Sequence, residues 1–222
     1  MSVVRKKSRR DLVARDYDTS ALSNAPQQRR SQQLSLRILE AAERVLLRDG
    51  LQAFTIVGVA AEAGVSVGGI YGRFKHREEL LSAIHTETLM KIQHHLEAVA
   101  DRKFETLREG AEVFAIEVVN LFEEVGSLLP MARRPDSKAE ASTVYSVERA
   151  IRAAFARVVD PFKSQIKHVD LDIGPRLVVH LLLASTVREA ATDPGATDRK
   201  MGWDILRREL PRVAGAIMTG VY

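Results

Sequence analysis

Residues 55–74 read TIVGVAAEAGVSVGGIYGRF. Within them, Gly64-Val65-Ser66-Val67-Gly68 fits the G-x-S-x-G pattern that sets a nucleophilic serine on a tight turn in α/β-hydrolases. That chemistry needs a buried strand immediately before the first glycine, so that the serine projects from the top of a sheet. The residues in that place are Ala60-Ala61-Glu62-Ala63, which favour helix. Two short helices joined by a three-residue turn containing glycine, a helix-turn-helix, is the layout that fits. An all-α hydrolase using Ser66 stays as an alternative reading, and no catalytic residue is assigned.

The same stretch assigns local roles. Thr55 caps the first short helix, which turns Ile56, Val59, Ala60 and Ala63 inward. Gly64 supplies backbone freedom at the turn, Val65 plugs the angle between the helices, and Ser66 caps the second helix, which runs through Ile70, Tyr71 and Phe74. The exposed start of that helix, Val67-Gly68-Gly69, is nearly bare of large side chains, so its backbone can approach a surface closely. Tyr71, Arg73 and Lys75 follow at once. Small residues with a tyrosine and cations suit a major groove edged by phosphates.

Outward from this stretch the pattern stays helical. Leu34, Ile38, Ala41, Ala42, Val45 and Leu46 recur at three- and four-residue steps before a stop at Gly50. A longer helix begins near His76 and runs to about Ala100, with Glu78 and Glu79 in its first turn, where the helix dipole favours acids. Residues 104–125 are apolar over so much of the circumference that other helices must surround them. Gly126–Asp136, with Pro130 and Pro135, is a break holding at most one helical turn. Helices are expected at about 137–167, kinked near Pro161, at 174–191, and at 200–218, kinked at Pro211; a Gly-Pro-Asp-Thr loop at 192–198 precedes the last. No stretch alternates as a strand does. The fold class is all-α.

The 222 residues, 45% of them hydrophobic, suffice for a real core, and the absence of cysteine excludes disulfides, thiolate metal sites and a Cys nucleophile. No apolar run approaches the roughly 20 residues that span a bilayer, and MSVVRKKSRRDL lacks the apolar segment of a signal peptide. A soluble, cytoplasmic protein with no membrane association is expected. The net charge of +4 is unevenly placed: residues 1–30 carry eight basic and three acidic side chains, a balance of +5, leaving 25 basic against 26 acidic residues elsewhere. Residues 1–30 thus read as a basic arm without fixed structure, able to neutralise phosphates or simply solvated.

From Arg37 to Ala83 the sequence RILEAAERVLLRDGLQAFTIVGVAAEAGVSVGGIYGRFKHREELLSA resembles the DNA-binding domain of TetR/AcrR-family transcriptional regulators. The matching features are Gly50 ending a helix, the capping Thr55, Val59-Ala60, Ala63-Gly64-Val65-Ser66, Tyr71 with Phe74 three residues on, and Arg77-Glu78-Glu79-Leu80. The sequence departs at Gly69, where the family usually has Ser, Thr or Ala, at Gly58 inside the first short helix, and at His76, where a small polar cap is usual. The resemblance implies DNA-binding residues Thr55, Ser66, Val67, Gly68, Gly69, Tyr71, Arg73, Lys75 and Arg77. Among these, Tyr71 and Arg73 would reach phosphates or base edges, Lys75 and Arg77 phosphates, and Val67 a thymine methyl.

It also implies an organisation: the basic arm (1–30), a helix-turn-helix domain (31–84), and a helical domain for ligand binding and dimerisation (85–222). The homodimer would form through the last two long helices, and its two-fold symmetry predicts a near-palindromic double-stranded DNA operator. A small, largely apolar effector would bind among the helices at 76–100, 104–125, 137–167 and 174–191. Candidate liners are Met90, His94, Phe114, Val118, Phe122, Tyr145 and His180. The adjacent His94 and His95 diverge on a helix and make no metal site. Arg188 and Glu189 read as an interface or intrahelical pair. The function expected is a ligand-responsive repressor rather than an enzyme, needing no cofactor or metal; a helical adaptor without DNA binding is the other alternative.

Overall fold

Apolar residues at three- and four-residue steps set the helices. The computed structural model describes residues 20–129, 138–166, 172–191 and 201–220. These form α1 (Ser20–Ala53), α2 (Ile56–Ala63), α3 (Val67–Tyr71), α4 (Arg77–Ala100), α5 (Leu107–Val125), α6 (Lys138–Val159), α7 (Ile173–Ala191) and α8 (Trp203–Thr219), with no strand among the described residues. No helix among them is long and apolar enough to cross a membrane. The basic arm lies outside the described residues as far as residue 19, and α1 begins at Ser20, so the end of the expected unstructured arm is helix. The expected domain boundary at 84/85 falls inside α4, which is one continuous helix.

Helices α1 to α3 and the start of α4 enclose a small core of Ile38, Val45, Phe54, Val59, Ile70 and Leu80. Gly50 takes φ 72°, a left-handed conformation that a side chain would strain. It breaks the helix where the sequence placed a stop, and a separate turn, Leu51–Ala53, follows beyond the kink. The larger core is organised by α5, which packs against α4, α6, α7 and most extensively α8. Phe114, Val118 and Phe122 of α5 are wholly enclosed, and the Phe114 ring meets Phe155 of α6 at 4.9 Å with a 41° tilt. Neighbours on several sides are the reason that α5 is apolar over so much of its circumference, while Glu109, Asn120, Glu123 and Glu124 stay exposed.

The loops follow their glycines and prolines. After Val125 a single 3₁₀ turn, Gly126–Leu128, sends the chain against α1, α4 and α7; the rest of the expected break, 130–137, lies outside the described residues, as does the loop at 192–198. The helix expected over 137–167 stops at Val159 and becomes 3₁₀ over Asp160–Gln165, because Pro161 cannot supply the N–H that an α-helix needs there. Helix α8 runs through Pro211 as one assigned element. Glu189, read from the sequence as an interface or intrahelical partner, is instead buried, and accepts from the backbone N–H groups of Met201 and Gly202, both at 3.2 Å. It ties the start of α8 to the end of α7.

Two glycines give opposite expectations. A Cβ on Gly126 would meet Ala190 Cβ at 3.0 Å and Phe122 Cδ1 at 3.3 Å, neither of which can swing aside. Gly126→Ala is expected to lower stability in urea unfolding by about 1–3 kcal/mol. Gly68 is exposed, with only Ser66 Oγ as far as 4.0 Å from such a Cβ, so Gly68→Ala is expected to raise stability by up to about 1 kcal/mol through helix propensity. Equal midpoints for the two variants would contradict both accounts.

Candidate nucleic-acid interface

Two hydroxyl caps build the helix-turn-helix. Thr55 Oγ1 accepts from Gly58 N at 3.1 Å and starts α2; Ser66 Oγ accepts from Gly69 N at 3.0 Å and starts α3. Between them Gly64 adopts φ 64°, ψ 40°, and the Val65 N–H returns to the Ala60 carbonyl at 3.0 Å, closing the turn. Val65 packs against the core, in the corner that the sequence expected it to fill. On the outer side, Glu62 of α2 is bridged by Arg44 at 2.9 Å and Arg48 at 3.0 Å, both from α1. The Arg44 bond first, then that of Arg48, holds the Glu62 carboxyl below the usual carboxylate range.

Only five residues long and containing two glycines, α3 has little intrinsic helix stability. Its position comes from Ile70, 0% exposed, and Phe74, 9% exposed, which anchor it in the core. The opposite face is open: Tyr71 is 51% exposed and Val67 37%, with Ser66 and Gly68 exposed beside them. Gly69 sits tightly under the cap, since a Cβ there would lie 3.3 Å from Ser66 Oγ. A bare helix start, an exposed phenol ring and the exposed Lys75 thus share one surface.

Arg73 folds back along α3. Its Nη1 donates to the Gly69 carbonyl at 3.4 Å and its Nη2 to Ser31 Oγ of α1 at 3.5 Å, both long bonds, while its Nε is buried without a partner. The site therefore carries an orphan guanidinium donor next to the exposed face. Ser31 was not singled out in the sequence, because 42 residues separate it from Arg73.

Arg77, expected as a phosphate contact, is engaged within the protein. Its Nη2 donates to the Leu51 carbonyl at 2.8 Å and its Nε to the Phe54 carbonyl at 3.1 Å, and the guanidinium lies 5.5 Å above the Phe54 ring. A cation in the first turn of α4 opposes that helix's own dipole but suits the carbonyl end of α1. That mismatch was the one trace of this role in the sequence. His76 makes no side-chain cap; Glu79 reaches back to the chain before the helix, accepting from the Lys75 N–H at 2.6 Å.

The seven expected effector-lining residues do not converge. Phe114, Val118 and Phe122 are sealed in the core around α5, while Met90 and Tyr145 are 53% and 66% exposed on α4 and α6. His94 is exposed on α4, and its neighbour His95 pairs with Glu117 at 3.1 Å. His180 instead lines an open groove between α6 and α7. Among the described residues no cluster of His, Asp or Glu has a metal-holding arrangement.

Residues 38–84 match the family model described as bacterial regulatory proteins, tetR family. Over 86 residues the chain is 30% identical to the nicotine-responsive transcriptional repressor HdnoR of Paenarthrobacter nicotinovorans, covering 39% of this chain and 42% of that protein. Over 75 residues it is 32% identical to the transcriptional regulator TtgR of Pseudomonas putida, covering 34% and 35%. The match thus spans about two fifths or less of these relatives' lengths. The fold continues beyond it: FadR of Bacillus subtilis, solved in complex with stearoyl-CoA, superposes with a TM-score of 0.60 at 17% identity, over 84% of this chain and 99% of that one.

The geometry separates two cations close in sequence. Arg77→Ala is expected to cost about 1–3 kcal/mol in urea unfolding, since it leaves two carbonyls without their charged donor. Lys75→Ala should leave the midpoint within about 0.5 kcal/mol. Similar midpoints for the two variants would refute the assignment of Arg77 to the fold.

Proposed function

We propose that the chain is a regulator of the TetR kind that residues 38–84 match, a homodimeric repressor that binds a near-palindromic DNA operator through α3 and is released by a small, largely apolar effector. The observation that carries the DNA-binding part is the division of α3 into a buried face, Ile70 with Phe74, and an exposed one of Ser66, Val67, Gly68 and Tyr71. A helix anchored on one side with small residues on the other can enter a major groove without steric conflict. Tyr71 and Lys75 then reach the groove edge and its phosphates, and the Arg73 guanidinium, whose two Nη bonds are long at 3.4 and 3.5 Å, can exchange them for a phosphate oxygen.

Dimerisation through α7 and α8 is supported by the apolar residues left on their shared outer seam. Leu181 and Leu210 are half-buried there, and Ile205 and Val213 are 40% and 41% exposed. Two copies joined by a two-fold axis would set their recognition helices at a fixed spacing. Effector control needs a ligand that binds unequally the form whose spacing fits successive major grooves and the form whose spacing does not. The route for such a bias is α4: it packs along α6 in the larger part and begins beside the helix-turn-helix.

The test is fluorescence anisotropy with a duplex covering the region upstream of the protein's own gene, against a scrambled duplex of equal length. Preference for the upstream duplex is expected, with Tyr71→Ala reducing affinity at least tenfold. Lys75→Ala should reduce the salt slope by about 0.9, the value for one phosphate contact. Equal affinity for both duplexes in the wild type, together with no effect of Tyr71→Ala, would remove the DNA-binding reading and favour the adaptor.

A further inference from the structure

Between α6 and α7 runs an open groove of about 940 Å³. That volume falls in the range of small-molecule sites, about 300–1,000 Å³. Its apolar surface comes from Val144 on α6 and from Ile173, Leu177 and Leu183 on α7, of which Ile173 and Leu177 are 46% and 40% exposed. Three guanidinium groups also line it: Arg152 of α6 is paired with Glu148 and Arg188 of α7 is engaged by another group, which leaves the exposed Arg176 of α7 as the cation the groove offers to an occupant.

An apolar floor with the exposed Arg176 guanidinium beside it selects its occupant. A neutral apolar molecule would gain from the floor and nothing from the guanidinium groups. A molecule with an apolar tail and one carboxylate uses both features: the tail covers Ile173 and Leu177, and the carboxylate accepts hydrogen bonds from an arginine fork.

We propose that the α6–α7 groove binds an amphipathic monoanion, an aliphatic or aryl carboxylate. The proposal rests on the reading that this part of the chain senses an effector, and it names the effector's chemical class. It also moves the site from the interior around α5, which is filled by side chains, to the outer flank of α6, the helix along which α4 packs.

The test is calorimetric titration of the full-length protein, without DNA, with octanoate, decanoate and decan-1-ol, each below its aggregation concentration. Decanoate is expected to bind at one site per chain, about tenfold tighter than octanoate for its two extra methylenes, and at least tenfold tighter than decan-1-ol. Arg176→Glu should erase the advantage of the carboxylate over the alcohol. Ala184→Trp, on an exposed groove residue, should abolish binding of both while light scattering shows an unchanged oligomeric state. No decanoate binding, equal binding of acid and alcohol, or unchanged affinity in Ala184→Trp would overturn the proposal. A change of oligomeric state in either variant would overturn it too, by making the groove the seat of a second copy. Decanoate binding that leaves operator affinity unaltered upholds the groove and counts only against effector control.

Discussion

The clamp that Arg77 makes on the end of α1 fixes the geometry on which the rest depends. Past the kink at Gly50, the last turn of α1 leaves the carbonyls of Leu51 and Phe54 to be satisfied, and Arg77 donates to both while covering the Phe54 ring. Since Arg77 is also the first residue of α4, the same side chain fixes where that 24-residue helix begins. A helix of that length spans about 36 Å. Its far end lies against α6, so α4 joins the helix-turn-helix to the larger helical part as one lever with a fastened end. The 3₁₀ turn at Gly126–Leu128, which touches α1, α4 and α7, adds a second junction between the two parts.

With α1 and α4 fixed, α3 needs little stability of its own. A five-residue helix with glycine at positions 68 and 69 would not persist in isolation. The Ser66 cap and the anchors Ile70 and Phe74 hold it by tertiary contact. The same weakness has a use: residues that contribute little to helix propensity also leave the outer face bare, so that the peptide backbone can come close to a base-pair edge. Gly69 sits too close to Ser66 Oγ for a side chain to be accommodated without the cap giving way by a few tenths of an ångström. The departure from the family pattern at this position therefore relieves crowding around the cap as well as removing a hydroxyl.

What was legible in the sequence was local. The caps Thr55 and Ser66, the left-handed Gly64, the single turn after Val125 and the broad buried face of α5 each follow from a few neighbouring residues whose chemistry has one economical solution. What was not legible depended on residues far apart. Arg77 looked like a surface cation because its acceptors are backbone carbonyls more than twenty residues away, and carbonyls leave no trace in a sequence. Glu189 looked like the partner of a neighbouring side chain, whereas it accepts from the N–H groups of residues 201 and 202, 12 and 13 residues further on. The expected effector pocket failed for a related reason. Helical periodicity says that Phe114, Val118 and Phe122 face inward, but it cannot say whether the space they face is open or already filled, and here Phe155 and its neighbours fill it.

A filled interior changes how the proposed effector control has to work. A ligand entering among Phe114, Val118 and Phe122 would first have to part a close-packed core, and the packing energy forfeited in doing so would reduce its affinity. A ligand resting in the α6–α7 groove meets apolar residues that are already exposed. It therefore gains from covering them without first opening the structure. Its leverage would come from unequal fit: if the separation of α6 and α7 differs between the two forms of the proposed dimer, an occupant that fits one separation better by about 1.4 kcal/mol shifts their ratio tenfold. The element that joins the groove to α3 in that proposal is α4, which packs along α6 and is held by Arg77 at its other end.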